Sequence, residues 1–256
     1  MWGRVASYRR TRISLKPIAA LVVCWELVAY VGLINVSFYP PPSVIGQTAV
    51  ETLVDGEMLG HLRASLTRVL VSLVVGGGAG VGLGLLMGWS KRLRTVLFPY
   101  VAVLYPVPKV VVLPIMFSVF GLTELSRILT MCLAVFLLVA MNTVDAVNEI
   151  DEVYFEVAVD NGAGTVGLFR EVIVPGALPQ IFSGLSLGFG VSFILIVVVE
   201  FIAADSGLGY VIWSSWRLFT IPKMYVALFL INLIGIVFIY GIEEIGNYLT
   251  PWQQHT

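Results

Sequence analysis

The sequence is poor in charge. Only 12% of its 256 residues are Asp, Glu, Lys or Arg, against about 25% in an ordinary soluble domain. That scarcity excludes a conventional solvated surface. The formal net charge of -1 excludes attraction to nucleic acid through bulk positive charge. Cysteine is rare too: Cys24 and Cys132 both lie inside apolar runs. Such usage excludes a disulfide framework and a cysteine zinc site. Histidine occurs twice, at His61 and His255. No His-Glu-x-x-His pair, EF-hand loop, P-loop or Gly-x-Gly-x-x-Gly turn is present. Gly184-Leu-Ser-Leu-Gly188 has the spacing of a hydrolase elbow, but it sits in an apolar run and neither histidine is placed to activate Ser186. The chain reads as non-catalytic, with no metal ligand set.

What is abundant is apolar. Hydrophobic residues make up 58% of the chain, and its mean hydropathy is +0.94. The natural solvent for such a chain is lipid. A crossing helix needs roughly 20 apolar residues, so six would use about half the length. The expected architecture is one all-α membrane domain over residues 1–256. Its crossings are expected at 18–36, 66–89, 96–119, 128–143, 181–204 and 225–242. Arg4, Arg9, Arg10, Arg12 and Lys16 precede the first run, within a tail over residues 1–16. A basic flank before an apolar run also fits a signal peptide. The run is long for that, and no small-residue cleavage site follows, so it is read as a retained helix. The positive-inside rule places the tail in the cytoplasm, and likewise the loop with Lys91, Arg92 and Arg94. Parity then leaves both termini inside.

Several residues stand out against this background. Pro40-Pro41-Pro42 breaks any helix, and Ser43 is a candidate N-cap for a short helix ending at Asp55-Gly56. Gly76, Gly80, Gly84 and Gly88 recur every four residues on one face of the second run, and Gly184 and Gly188 repeat the pattern in the fifth. Small residues at this spacing let helices approach closely where no hydrophobic effect joins them. Tyr105, Pro106, Pro108 and Lys109 break the third run. Broken helices at membrane depth line transport paths or simply fit a kink into the bundle. Glu26 and Glu200 are acids in or near apolar runs and are candidate path residues by default. Glu200 lies near the outer end of its helix, where the alternative to a path role is simple contact with water, and Glu26 is the deeper of the two.

The polar stretch 145–180 holds seven acids, one arginine and no lysine. Within it, Glu156-Val157-Ala158-Val-Asp160-Asn161-Gly162-Ala163-Gly164 leads through Gly167 to Val172-Ile-Val-Pro175 and Pro179. This reads as a helix, a glycine break, a second short helix and a proline stop that resets the chain. The segment resembles the EAA motif of binding-protein-dependent ABC importer permeases: an acid and alanines, then a glycine, then an apolar-Pro pair. Glu156, Ala158, Gly162 and Val174-Pro175 match the pattern, while Val157 replaces one alanine and Asp160-Asn161 is more polar than usual. The resemblance covers nearly the whole chain and is closest to the nitrate/sulfonate/taurine branch. It includes Pro40 to Ile45, Ala64 to Val69, Tyr105 to Pro108, Leu113-Pro114, Phe120 to Glu124, Gly207 to Tyr210 and Pro251-Trp252. Lys109 departs from that branch, which usually has an apolar or small residue there.

The resemblance implies a type I ABC importer permease in a bacterial inner membrane. Its cytoplasmic coupling helix would lie between transmembrane helices 4 and 5, from about Glu156 to Gly167. It implies a second permease copy in a homodimer, two ATPase subunits carrying ATP and Mg, and a solute-binding protein. The chain itself would bind no cofactor. Its solute would be a sulfonate, taurine, nitrate or similar small anion, or a thiamine-precursor-like heterocycle. A stand-alone channel or ion-coupled transporter is the competing reading, and it leaves the glycine-proline loop without a purpose.

Overall fold

The computed structural model describes residues 15–252. The basic residues before Leu15 and His255 lie outside them. The described residues form helices joined by short turns, with no strand among them. In chain order these are α1 (Leu15–Tyr30), α2 (Pro42–Val54), α3 (Glu57–Trp89), α4 (Lys91–Leu104), α5 (Val112–Phe120), α6 (Glu124–Asn148), α7 (Glu152–Asp160), α8 (Thr165–Ile202), α9 (Leu208–Arg217) and α10 (Ile221–Leu249). Helices α3, α6, α8 and α10 are long and apolar enough to cross a membrane. A fifth apolar unit is the pair α4 and Lys109–Phe120, bent by 87°.

The first and third expected spans therefore need correction. α1 stops at Tyr30, not at residue 36. Gly32 takes a left-handed φ of 77°, and Leu33 N–H reaches back to the Val28 carbonyl, a glycine stop that ends the helix. The 16 residues of α1 reach only about 24 Å at 1.5 Å each. The third run is two helices, because neither Pro106 nor Pro108 can donate to the preceding turn. The stretch with Gly207, Gly209, Trp213 and Trp216, expected as a loop, contains the helix α9.

Prolines also act differently from expectation at two other places. Pro41, not Ser43, occupies the N-cap of α2, and Pro42 begins the helix. There its missing N–H costs nothing. Ser43 instead gives its N–H and hydroxyl to the Glu26 carboxylate, at 3.0 and 2.7 Å. Glu26 thus ties α1 to the first turn of α2. Pro175 and Pro179 do not stop α8. A π stretch at Leu168–Ile173 precedes Pro175, so the regular ladder is already interrupted where the proline falls.

The bundle is built around α6. Gly76, Gly80, Gly84 and Gly88 of α3 lie directly on it. A Cβ at Gly76 would stand 2.5 Å from the Cys132 carbonyl oxygen, and one at Gly80 2.8 Å from that of Phe136. At Gly84 it would collide with Thr143, and at Gly88 it would lie 2.6 Å from Val147 Cβ. Gly184 and Gly188 of α8 also lie against α6, beside the side chains of Asn142 and Val139. Both helices thereby approach α6 closely, as small-residue packing permits. The apolar core gathers Met131, Phe189, Ile196, Val199, Val211 and Ala227.

Candidate functional site

Two places on the bundle concentrate polar chemistry, one at each end of α8. The first is a buried charge clamp. Glu200, on the last turn of α8, is 0% exposed. Its carboxylate accepts from Arg68 Nη1 at 2.6 Å, Ser65 Oγ at 2.8 and 2.9 Å, and the Gly209 N–H at 2.8 Å. Arg68 is spent completely. Its Nε and Nη2 make a bidentate pair with Glu124 at 2.7 and 2.6 Å, and Nη1 and Nη2 also reach the Ser206 carbonyl and hydroxyl. Arg127 adds a 2.5 Å contact to Glu124. Such a pair survives burial because every lone pair and N–H finds a partner, and breaking one side costs about 3–5 kcal/mol.

The same clamp closes on the start of α9. Three successive backbone N–H groups there have no intrahelical carbonyl to bond. Gly207 N–H goes to His61 Nδ1 at 3.1 Å, Leu208 N–H to Ser65 Oγ at 2.8 Å, and Gly209 N–H to Glu200. No side chain fits at Gly207, where a Cβ would strike the Glu200 carboxyl group, and at Gly209 it would lie 2.9 Å from Glu200 Cβ. Glu200 therefore does not face water, as its position near a helix end suggests. It points inward, where α3, α6 and α9 close over it.

The second place is the elbow at the other end of the bundle. α7 begins at Asp151, whose carboxylate accepts from Val153 N–H at 3.1 Å. It ends in a Schellman motif. Gly162 takes φ 83°. Its N–H bonds the Val159 carbonyl at 2.8 Å, and Ala163 N–H bonds that of Ala158 at 2.9 Å. The chain then passes Gly164 and re-enters helix at Thr165, where Gly167 packs on Ala163. The helix, glycine break and second helix read from the sequence are present, with the turn at residues 161–164, and the helix that carries Glu156 ends at Asp160 rather than running on to Gly167. Glu156 and Asp160 are exposed, as are the apolar Val153, Tyr154, Val157 and Val159. A groove of about 870 Å³ runs beside α7, lined by Glu149, Tyr154, Ala158, Glu171, Pro175 and Trp252.

Between these ends lies the bend at Tyr105–Pro108. Lys109 turns back on it, its ammonium donating to the carbonyls of Leu104, Tyr105 and Val107 at 3.2, 2.6 and 2.6 Å. The charge serves the backbone groups that the prolines leave open. Tyr105, Pro106 and Pro108 are exposed around it.

The sequence reading singled out Glu200 but missed its partners. Arg68 lies two residues inside the expected start of its span and drew no attention as an intramembrane charge. Its signal was present only as part of the Ala64–Val69 stretch. The structure brings that stretch together with Glu124 and with Gly207–Tyr210, three of the segments that carried the resemblance.

The described residues have the build of a multi-pass helical membrane protein, with long apolar helices, a proline-broken one and a buried charge clamp. The family described as the binding-protein-dependent transport system inner membrane component matches residues 80–251, and the chain belongs to that family. The taurine transport system permease protein of Escherichia coli (strain K12) is 33% identical over 249 residues, 95% of this chain and 90% of that protein. The putative aliphatic sulfonates transport permease protein of Bacillus subtilis (strain 168) is 31% identical over 235 residues, 92% of this chain and 85% of that protein. Among solved structures, an inward-facing methionine ABC transporter is similar with a TM-score of 0.64 at 17% identity, over 74% of this chain and 94% of that one. The last likeness concerns the fold alone. The chain is an ABC importer permease, a multi-pass transport component rather than a catalyst.

Proposed function

We propose that this permease carries a small sulfonate, taurine being the first to test, and that the α7 elbow is where an ATPase subunit drives it. The observation that supports the elbow is its surface. A helix of 9 residues exposes Val153, Tyr154, Val157 and Val159 beside Glu156 and Asp160. Apolar side chains exposed on so short a helix suit a partner's groove better than water. The Schellman stop at Gly162 fixes the angle at which that helix meets α8. The sulfonate assignment rests on the two relatives' substrates.

In this reading α1 and the bent α4–α5 pair complete six crossings with α3, α6, α8 and α10. The elbow and both termini face the cytoplasm, and α9 lies at the outer surface. Two copies of the chain pair to form the path, each holding one ATPase subunit that carries ATP and Mg, and a binding protein delivers solute from outside. ATPase closure pushes α7, and the path alternates between its two openings.

The test is gentle purification of the tagged chain from its host, with mass spectrometry of what accompanies it. A P-loop ATPase retained by the wild type and lost with Glu156→Ala/Gly162→Pro is the expected result. Binding-protein-dependent taurine uptake in proteoliposomes, requiring internal ATP, completes it. A chain that purifies alone and transports under an ion gradient without ATP would establish the ion-coupled alternative instead.

A further inference from the structure

α8 connects the two polar places without a loop. It runs from Thr165, beside the elbow, to Ile202, and 38 residues of helix span about 57 Å. Glu200 sits at its far end and Ser65 and Arg68 on α3. Between them these side chains hold α9 by its backbone. The Leu208 and Gly209 N–H groups end on Ser65 and Glu200, and the Ser206 carbonyl just before them ends on Arg68. A helix held only by apolar contacts can slide. One whose first N–H groups are bonded to buried side chains moves with the helices that supply them. The lack of room at Gly207 and Gly209 removes any slack. α9 in turn presents Trp213, Trp216 and, just beyond it, Leu218 and Phe219 at the surface.

We propose that Ser65, Arg68 and Glu200 are positioning residues for transport, which lock α9 to α8 so that displacement of the elbow reaches the outer face. The proposal rests on the elbow being the ATPase contact. Coupling of this kind is reciprocal: whatever docks on α9 from outside biases the elbow through the same bonds. The part of these residues is to make the two faces of the membrane respond together.

The experiment uses the full permease with its own ATPase subunits in lipid nanodiscs. Leu218→Cys is introduced with Cys24→Ser, and its rate of reaction with a polar maleimide is compared between the nucleotide-free and the ATP–vanadate-trapped complex. The wild-type clamp should give rates that differ by about threefold or more between the two states. Ser65→Ala, which removes the hydroxyl shared by Glu200 and Leu208, should bring the ratio to about one. Assembly and vanadate trapping should persist, and Ser65→Thr should restore the ratio. Because Glu200→Gln and Arg68→Met carry a folding risk, Ser65 is the deciding position. A Ser65→Ala complex with the wild-type ratio overturns the proposal, as does a wild-type ratio of one with nucleotide trapped. If no ATPase subunit stays with the wild-type chain on purification, the elbow reading fails, and the proposal with it.

Discussion

Gly84→Ala adds a single methyl group, and the structure says where it must go. Its carbon would collide with Thr143 Cβ and lie 2.8 Å from the Ala140 carbonyl oxygen. Contacts between such atoms are comfortable at about 3.5–4.0 Å, so α3 and α6 must part by roughly 1 Å or both must distort. Overpacking of a tight core costs typically about 1–3 kcal/mol. The obstacle includes the main chain of α6 at the Ala140 carbonyl, which cannot swing aside, and this places Gly84→Ala in the upper half of that range. Gly82, one half-turn away on the same helix, has nothing within 4 Å of its would-be Cβ. Gly82→Ala should therefore stabilise, by about 0.5–1 kcal/mol, because alanine loses less entropy on entering a helix. The two substitutions are chemically identical and opposite in expected sign. A thiol-reactive dye in a Cys24→Ser background reads them, since Cys132 is buried beside Gly76 and reacts only on unfolding. Gly84→Ala should lower the midpoint by several degrees and Gly82→Ala should raise it slightly, at roughly 2–4 °C per kcal/mol. Equal midpoints for the two variants would refute the packing of the glycine face on α6.

Three further outcomes are expected. Gly162→Ala should weaken ATPase retention several-fold, since a left-handed residue with a Cβ costs about 1–2 kcal/mol. Gly162→Asn should lose less, as pull-down of the ATPase subunit from detergent will tell. Lys109→Met takes the ammonium donor from three carbonyls at the bend. It should lower the melting midpoint and slow uptake, whereas a variant with undiminished stability would show that water takes the place of the ammonium. Glu26→Ala should cost about 1 kcal/mol through loss of the tie to the α2 N-terminus, and Glu26→Gln clearly less, in the same thermal assay.

How far the sequence spoke depended on the reach of each interaction. The glycine repeat of the second run was legible because a period of four is a property of one helix, and the face it defines is the face that meets α6. The break at Pro106 and Pro108 was legible for the same local reason. The clamp was not. Ser65, Glu124, Glu200 and Gly209 come from four separate helices, and no periodicity links them. Glu200 drew notice as an acid in an apolar run, but nearness to a helix end says nothing about which way a carboxylate points. Lys109 was visible as a charge, yet its acceptors are backbone carbonyls, which every residue has and no sequence marks. The end of α1 was misjudged because apolar character continues through Val31 and Leu33 after the backbone has turned at Gly32.

The π stretch at Leu73–Gly77 has a consequence for the two jobs of α3. A wider turn there rotates everything beyond it around the axis, relative to a regular helix. Ahead of it, Ser65 and Arg68 aim at the clamp, and after it Gly80, Gly84 and Gly88 aim at α6. Were the same residues 73–77 wound as regular helix, with none deleted, the second half would turn by about 100°. Either the arginine would leave its acids or the glycines would leave their neighbour. The stretch acts as a gear offset that lets one continuous helix satisfy two differently oriented neighbours.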